Sequence, residues 1–249
     1  MTWPEVADGS LLVVPTGSCE QHGPHLPLDT DTRIAVALAE ELAQRVSGVL
    51  VAPALSIGAS GEHQAFSGTL SIGTPAFENV VVELCRSALP APGSANPRPF
   101  DGVVFVNGHG GNIEAFNGAL ELLRVEGRRV MVWHPRVVGG DSHAGRTETS
   151  ILLHLDPDCV RDDLIEPGST ARWREIGAAV MAEGLAAVTP NGILGDPTGA
   201  TATEGSEIFE TLARDLCSAV GTWWSSVGPS TATAAEHGLG ATDAVSSDS

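Results

Sequence analysis

The chain has 249 residues, 42% of them hydrophobic, which is enough for one large core. Its 13 basic residues are all arginine and face 31 Asp plus Glu, and the formal charge of -18 excludes nucleic acid and anionic membrane surfaces as partners. No apolar run nears the roughly 20 residues that span a bilayer, the N-terminus has no basic signal region, and Cys19, Cys85, Cys159 and Cys217 lack CxxC spacing, so the expected setting is the cytoplasm with reduced thiols.

Leu11–Val14 is a continuous apolar run of the kind that forms a buried parallel strand. It feeds a polar loop that carries Glu20, His22, His25, Asp29 and Asp31 within a dozen residues. Thr32–Val46 then spaces Ile34, Leu38 and Leu42 on one helical face, and Val49–Ala52 repeats the strand pattern. Residues 56–73 are rich in Gly and Ser and predict a long loop, and Thr74-Pro75 opens a helix to about Leu89. The proline-rich stretch Pro90–Pro99 predicts a surface connection.

Gly102–Val106 is a third buried strand, which runs into the turn Asn107–Asn112 and a helix over Ile113–Val125. Arg129–Trp133 is a fourth, followed by the loop that bears Asp141 and His143 and by a helix over Thr147–Leu155. Further helices are expected over Arg172–Val188 and Gly205–Trp224, with a turn-rich loop at Asn191–Gly199. Strand and helix alternating in this way predict an α/β protein, a three-layer α/β/α sandwich with a mostly parallel central sheet. Residues 1–225 are expected to form a single domain, and 226–249, acidic and rich in Ser, Thr and Ala, a disordered tail.

Three polar loops leave the C-terminal ends of the strands that close at residues 14, 106 and 133, the edge where such sheets bind ligands. Glu20 and His22 are one residue apart, so an extended backbone turns both side chains the same way. A carboxylate beside an imidazole suits Zn(II), Mn(II) or Fe(II), and the lack of nearby thiols disfavours a structural cysteine-type zinc site. Asp31 and Glu148 also have ordinary roles as acids in the first turn of a helix, with Asp29 the better N-cap. His109 sits in a Gly-His-Gly-Gly-Asn turn, where a phosphate-binding turn competes, though without the Lys-Ser/Thr or GxGxxG of the known phosphate loops. His143 and Glu148 could move protons beside a metal.

The stretches Pro15–Asp31 (PTGSCEQHGPHLPLDTD), Asn107–Asn112 (NGHGGN) and His143–Ser150 (HAGRTETS) resemble the three signatures of the creatininase family of metal-dependent amidohydrolases, over about residues 3–224. Gly58–Thr69, Asp141–Glu148 and Gly195–Ala200 resemble a peptidase branch of that family which trims a ribosomally made precursor peptide near its C-terminus. The resemblance implies a creatininase-like catalytic domain with two divalent metal ions per subunit (Zn, Fe or Mn). Glu20 and His109 would bind one ion and His22 the other, with Asp31 as the bridge. Creatininase has a further Glu two residues after the His of the turn, where this chain has Gly111, so Glu148 is assigned both as the replacement ligand and, with His143, to catalysis.

The implied reaction is hydrolysis of an amide bond in a peptide substrate, which releases a Val-Tyr-derived C-terminal dipeptide. Glu62 and His63 are expected either to line the pocket or to be ordinary turn residues, His25 and Asp29 to be supporting or turn residues, and the protein to be a homo-oligomer. The rivals are a deformylase or cyclic amidohydrolase acting on a small molecule, and a metal-binding scaffold without catalysis.

Overall fold

The computed structural model describes residues 2–89, 91 and 100–227. Strands β1 (Ser10–Thr16), β2 (Val49–Val51), β3 (Phe100–Asn107) and β4 (Val130–Trp133) form one sheet in the order β2-β1-β3-β4, every neighbouring pair parallel. Helices α1 (Thr30–Arg45), α2 (Thr74–Ala88), α3 (Ile113–Val125), α4 (Arg146–Leu155), α5 (Trp173–Glu183) and α6 (Ala202–Val227) account for the longer periodic segments.

Alternation along the strands divides the core in two. Leu11, Val13, Val104 and Val106 pack with Ile34, Leu38 and Leu42 of α1, Ile151 and Leu152 of α4, and Leu212 and Leu216 of α6. Val14, Val103 and Phe105 face the other way, onto Phe77 and Val81 of α2 and Phe116 and Leu123 of α3. The sheet is therefore covered on both faces, which is why its strands read as unbroken apolar runs.

Several boundaries move. The helix expected over Arg172–Val188 stops at Glu183, because Gly184 turns left-handed (φ 84°) and a separate short turn follows at Leu185–Ala187. The last helix runs through Val227 and so crosses the expected boundary at 225, while the rest of the proposed tail and nearly all of Pro90–Pro99 lie outside the described residues. Asp29 stands at the N-cap position of α1 but makes no capping hydrogen bond; its carboxylate instead accepts from Arg33 one turn on, at 2.8 Å.

Helices α4 and α6 touch where Gly205 meets the α4 backbone. A Cβ at that position would lie 1.8 Å from the Ser150 carbonyl oxygen. Gly205→Ala should therefore push the two helices apart and cost about 2 kcal/mol or more, read as a lowered urea midpoint at unchanged slope.

Candidate metal centre

The C-terminal edge of the sheet gathers the polar loops. The segment after β1 supplies Glu20 and His22, the first turn of α1 supplies Asp31, the turn after β3 supplies His109, and the loop into α4 supplies His143 and Glu148. Asp31 reaches the strand ends because residues 17 and 108 are glycines: a Cβ on Gly108 would lie 2.7 Å from the Asp31 carbonyl, and one on Gly17 would lie 2.4 Å from the Thr32 nitrogen. Ala144, buried between His143 and Gly145, holds a left-handed φ of 52° that a non-glycine residue adopts only under tertiary constraint. Its N–H donates to Glu148 Oε2 at 2.6 Å, so the strained corner fixes Glu148 at the start of α4.

Glu20, His22, Asp31, His109 and His143 are all buried, and Glu148 is largely so. Asp31 stands between two imidazoles, with Oδ1 3.1 Å from His22 Nε2 and Oδ2 3.3 Å from His109 Nδ1. Glu20 Oε2 lies 3.3 Å from His109 Nε2, and Glu148 Oε2 lies 3.9 Å from His22 Nε2. Ligand atoms therefore converge in the sets Glu20–Asp31–His109 and His22–Asp31–Glu148, which share Asp31, and in a third set, Glu20–His22–His143.

Two observations show that these groups fit cations. Both carboxylate oxygens of Glu20 are buried and accept no hydrogen bond, an expense that a folded protein rarely tolerates without an ion to satisfy it. Three of the imidazoles also spend one ring nitrogen on a backbone carbonyl: His22 Nδ1 on Glu20 at 3.2 Å, His109 Nε2 on Ala59 at 3.0 Å, and His143 Nε2 on Gln21 at 2.8 Å. A carbonyl only accepts, so each of these nitrogens carries a hydrogen and the other faces the carboxylates, available to offer a lone pair to a cation. That is the orientation by which proteins present histidine to a metal.

Burial opposes charge on every one of these groups. For Glu20 it is outweighed by His109, and the carboxyl is held down at about 2. For His22, Asp31 and then Glu148 overcome burial and lift the imidazole to about 10. His109 is raised in the same way by Glu20 and Asp31. Without a cation, protons on His22 and His109 would thus take the place of the missing positive charge. At Glu148 burial prevails over the pull of His22 and raises the carboxyl to about 7, while burial leaves His63, at about 4, and His143 neutral.

On its outer side the cluster opens into a cavity of about 1060 Å³. Glu20, His109 and His143 form part of its wall, as do Glu62 and His63. Glu62 Oε1 lies 3.8 Å from His109 Nε2. The opposite wall comes from α5, whose Trp173 and Met181 are half-exposed or more, and that wall had no motif to announce it. His25 is fully buried beneath the site, its Nε2 2.9 Å from the hydroxyl of Thr149, next to Glu148. Sequence reasoning also missed Ser18, whose hydroxyl donates to Asp31 Oδ2 at 2.7 Å, and Gln21. Small polar side chains between ligands carry no spacing signal.

Comparison with known proteins agrees with this geometry. The family model described as Creatininase: Creatinine amidohydrolase matches residues 1–220. The chain is 46% identical over 230 residues to a Mycofactocin precursor peptide peptidase of Mycobacterium ulcerans (strain Agy99), covering 89% of this chain and 86% of that one. It is 48% identical over 219 residues to the protein of the same name from Mycolicibacterium smegmatis (strain ATCC 700084 / mc(2)155), covering 86% and 85%. The solved structure "Creatininase Mn" superposes with a TM-score of 0.70 at 26% identity, covering 89% of this chain and 96% of that one. The chain belongs to the creatininase family, and it is a metal-binding hydrolase that acts on amide bonds.

Proposed function

We propose that this protein is a two-metal peptidase that cleaves the modified mycofactocin precursor peptide and releases its C-terminal Val-Tyr-derived dipeptide. The observation that carries the metal chemistry is the divided carboxylate of Asp31, one oxygen facing His22 and the other His109. The substrate rests on the names of the relatives at 46–48% identity. Glu20, Asp31 and His109 would hold one ion, and His22, Asp31 and Glu148 the other. Zinc, iron or manganese would suit this oxygen and nitrogen set. Such ions polarise a scissile carbonyl and make a water nucleophilic at neutral pH.

The chain's own groups do the rest. Glu148, with its carboxyl near 7, can both take and give a proton at neutral pH. Neutral His143, whose ring centroid is 4.3 Å from that of His22, can assist on the way to the departing nitrogen. The cavity is large enough for a peptide end, where ligand pockets run from about 300 to 1,000 Å³. Partners in this reading are the ribosomally made peptide and further copies of the same chain, in the cytoplasm. The charge of -18 favours neither nucleic acid nor membrane surfaces, and among the described residues no helix is long and apolar enough to cross a membrane.

The test is a cleavage assay on metal-loaded protein with the modified precursor, creatinine and a formamide in parallel. Dipeptide release with no turnover of the small molecules is expected. Turnover of creatinine or the formamide alone would replace the peptidase by a small-molecule deformylase or cyclic amidohydrolase, and no turnover of any of the three would leave a metal-binding scaffold. His143→Ala should keep both ions and lower kcat by about 10²-fold or more, checked by metal analysis beside kinetics. Unchanged kcat would return His143 to a structural loop residue.

A further inference from the structure

Gln21 lies between two of the ligands, Glu20 and His22, and is itself buried. Its amide is oriented without ambiguity. The N–H of Gly23 donates to Oε1 at 2.8 Å, so the amino group lies on the other side, where it donates to the Gly192 carbonyl at 3.1 Å. One amino hydrogen remains, and two imidazole nitrogens are within reach: His63 Nδ1 at 3.1 Å and His143 Nε2 at 3.2 Å. His143 Nε2 already donates to the backbone carbonyl of Gln21 at 2.8 Å and cannot accept. The remaining hydrogen therefore goes to His63 Nδ1, which must be bare, and the ring hydrogen of His63 sits on Nε2.

His63 Nε2 is 3.4 Å from Glu20 Oε1, out of line for a hydrogen bond but close enough for its N–H dipole to favour the carboxylate on that side. We propose that Gln21 is a positioning residue that fixes His63 as the Nε2–H tautomer and thereby directs Glu20 toward the cation it would share with Asp31 and His109. The opposite tautomer of His63 would set a lone pair against the Glu20 carboxylate and turn it away. Because Nδ1 of His63 accepts from the Gln21 amino group, the ring holds its hydrogen on Nε2, and the tautomer is the variable that matters. The inference does not depend on which peptide is cut, because it is read without substrate.

Zinc-loaded protein labelled with ¹⁵N at histidine and observed by long-range ¹H–¹⁵N correlation tests it. His63 should show protonated Nε2 and bare Nδ1, and the Nδ1–H form would overturn the proposal in the wild-type protein alone. In Gln21→Met, which keeps the length of the side chain and removes its donor, His63 should become a mixture of tautomers. His143 should keep Nε2–H, since its partner is backbone. Metal affinity at the Glu20 position or kcat should fall by about 10–100-fold with KM little changed, the usual effect of removing a group that orients a ligand. An unchanged His63 spectrum with full metal content and full kcat in that variant would equally end the idea.

Discussion

Asp31→Asn should lose both metal ions and reduce kcat/KM by about 10³-fold or more while the chain stays folded. No other residue belongs both to the Glu20–His109 set and to the His22–Glu148 set. The amide is the same size and can still accept the Ser18 hydroxyl, which now reaches Asp31 Oδ2 at 2.7 Å. It carries no charge, however, and its amino group would face one of the two imidazoles with a donor in place of an acceptor. Burial would raise the Asp31 carboxyl, but the charge of His22 and a hydrogen bond from His109 hold it well below the usual range, so it is ionised at any working pH. Metal content by mass spectrometry, far-UV circular dichroism and peptide turnover on one preparation decide the matter. Two ions per chain in the variant would refute the bridging role.

Removing both metals should lower the melting temperature by about 15–30 °C. Each ion held at about 1,000 times its dissociation constant contributes roughly 4 kcal/mol, and a chain of this size shifts about 2–4 °C per kcal/mol. The metal-free chain should also show a pH dependence that the loaded chain lacks. His22 is lifted from 6.5 to about 10 by its carboxylate neighbours. The stability its proton contributes is fully present below about pH 6.5 and is lost as pH rises through 10. Loaded protein has a cation where that proton would be, so its melting temperature should stay level over the same range. Parallel thermal scans from pH 7 to 10 on chelated and zinc-loaded protein separate the cases. Identical curves would show that His22 does not exchange a proton for a metal.

The fold and half the site could be read from the residues because both use strong local signals. Buried parallel strands leave apolar runs such as Leu11–Val14 and Gly102–Val106, and candidate ligands cluster in the loops at the strand ends, as Glu20 and His22 do after β1. His109, His143 and Glu148 joined them through topology, once the parallel sheet brought three loops to one edge. What escaped was whatever depends on a partner distant in sequence. Asp29 looked like an N-cap because of its position, but Arg33 one turn later claims its carboxylate. Trp173 and Met181 lie on an amphipathic helix, where apolar residues ordinarily mean packing, yet here they face the cavity. Gln21 orders two imidazoles through hydrogen bonds to residues 63, 143 and 192, contacts that no spacing within its own motif encodes.

The distribution of the proposed ligands would also date the arrival of metals during biosynthesis. The proposed ligands come from the loop after β1, the start of α1, the turn after β3 and the start of α4, and although Glu20, His22 and Asp31 lie within a dozen residues, each converging set is completed only by His109, His143 or Glu148 from a later loop. A zinc finger gathers its ligands locally and is folded by its ion. With the proposed ligands a growing chain would have no complete pair of ion sites until α4 had been made and docked beside the sheet, so the metals would enter a structure already largely built. Their uptake would then mark the end of folding, and a chain stalled before α4 should fail to retain two ions.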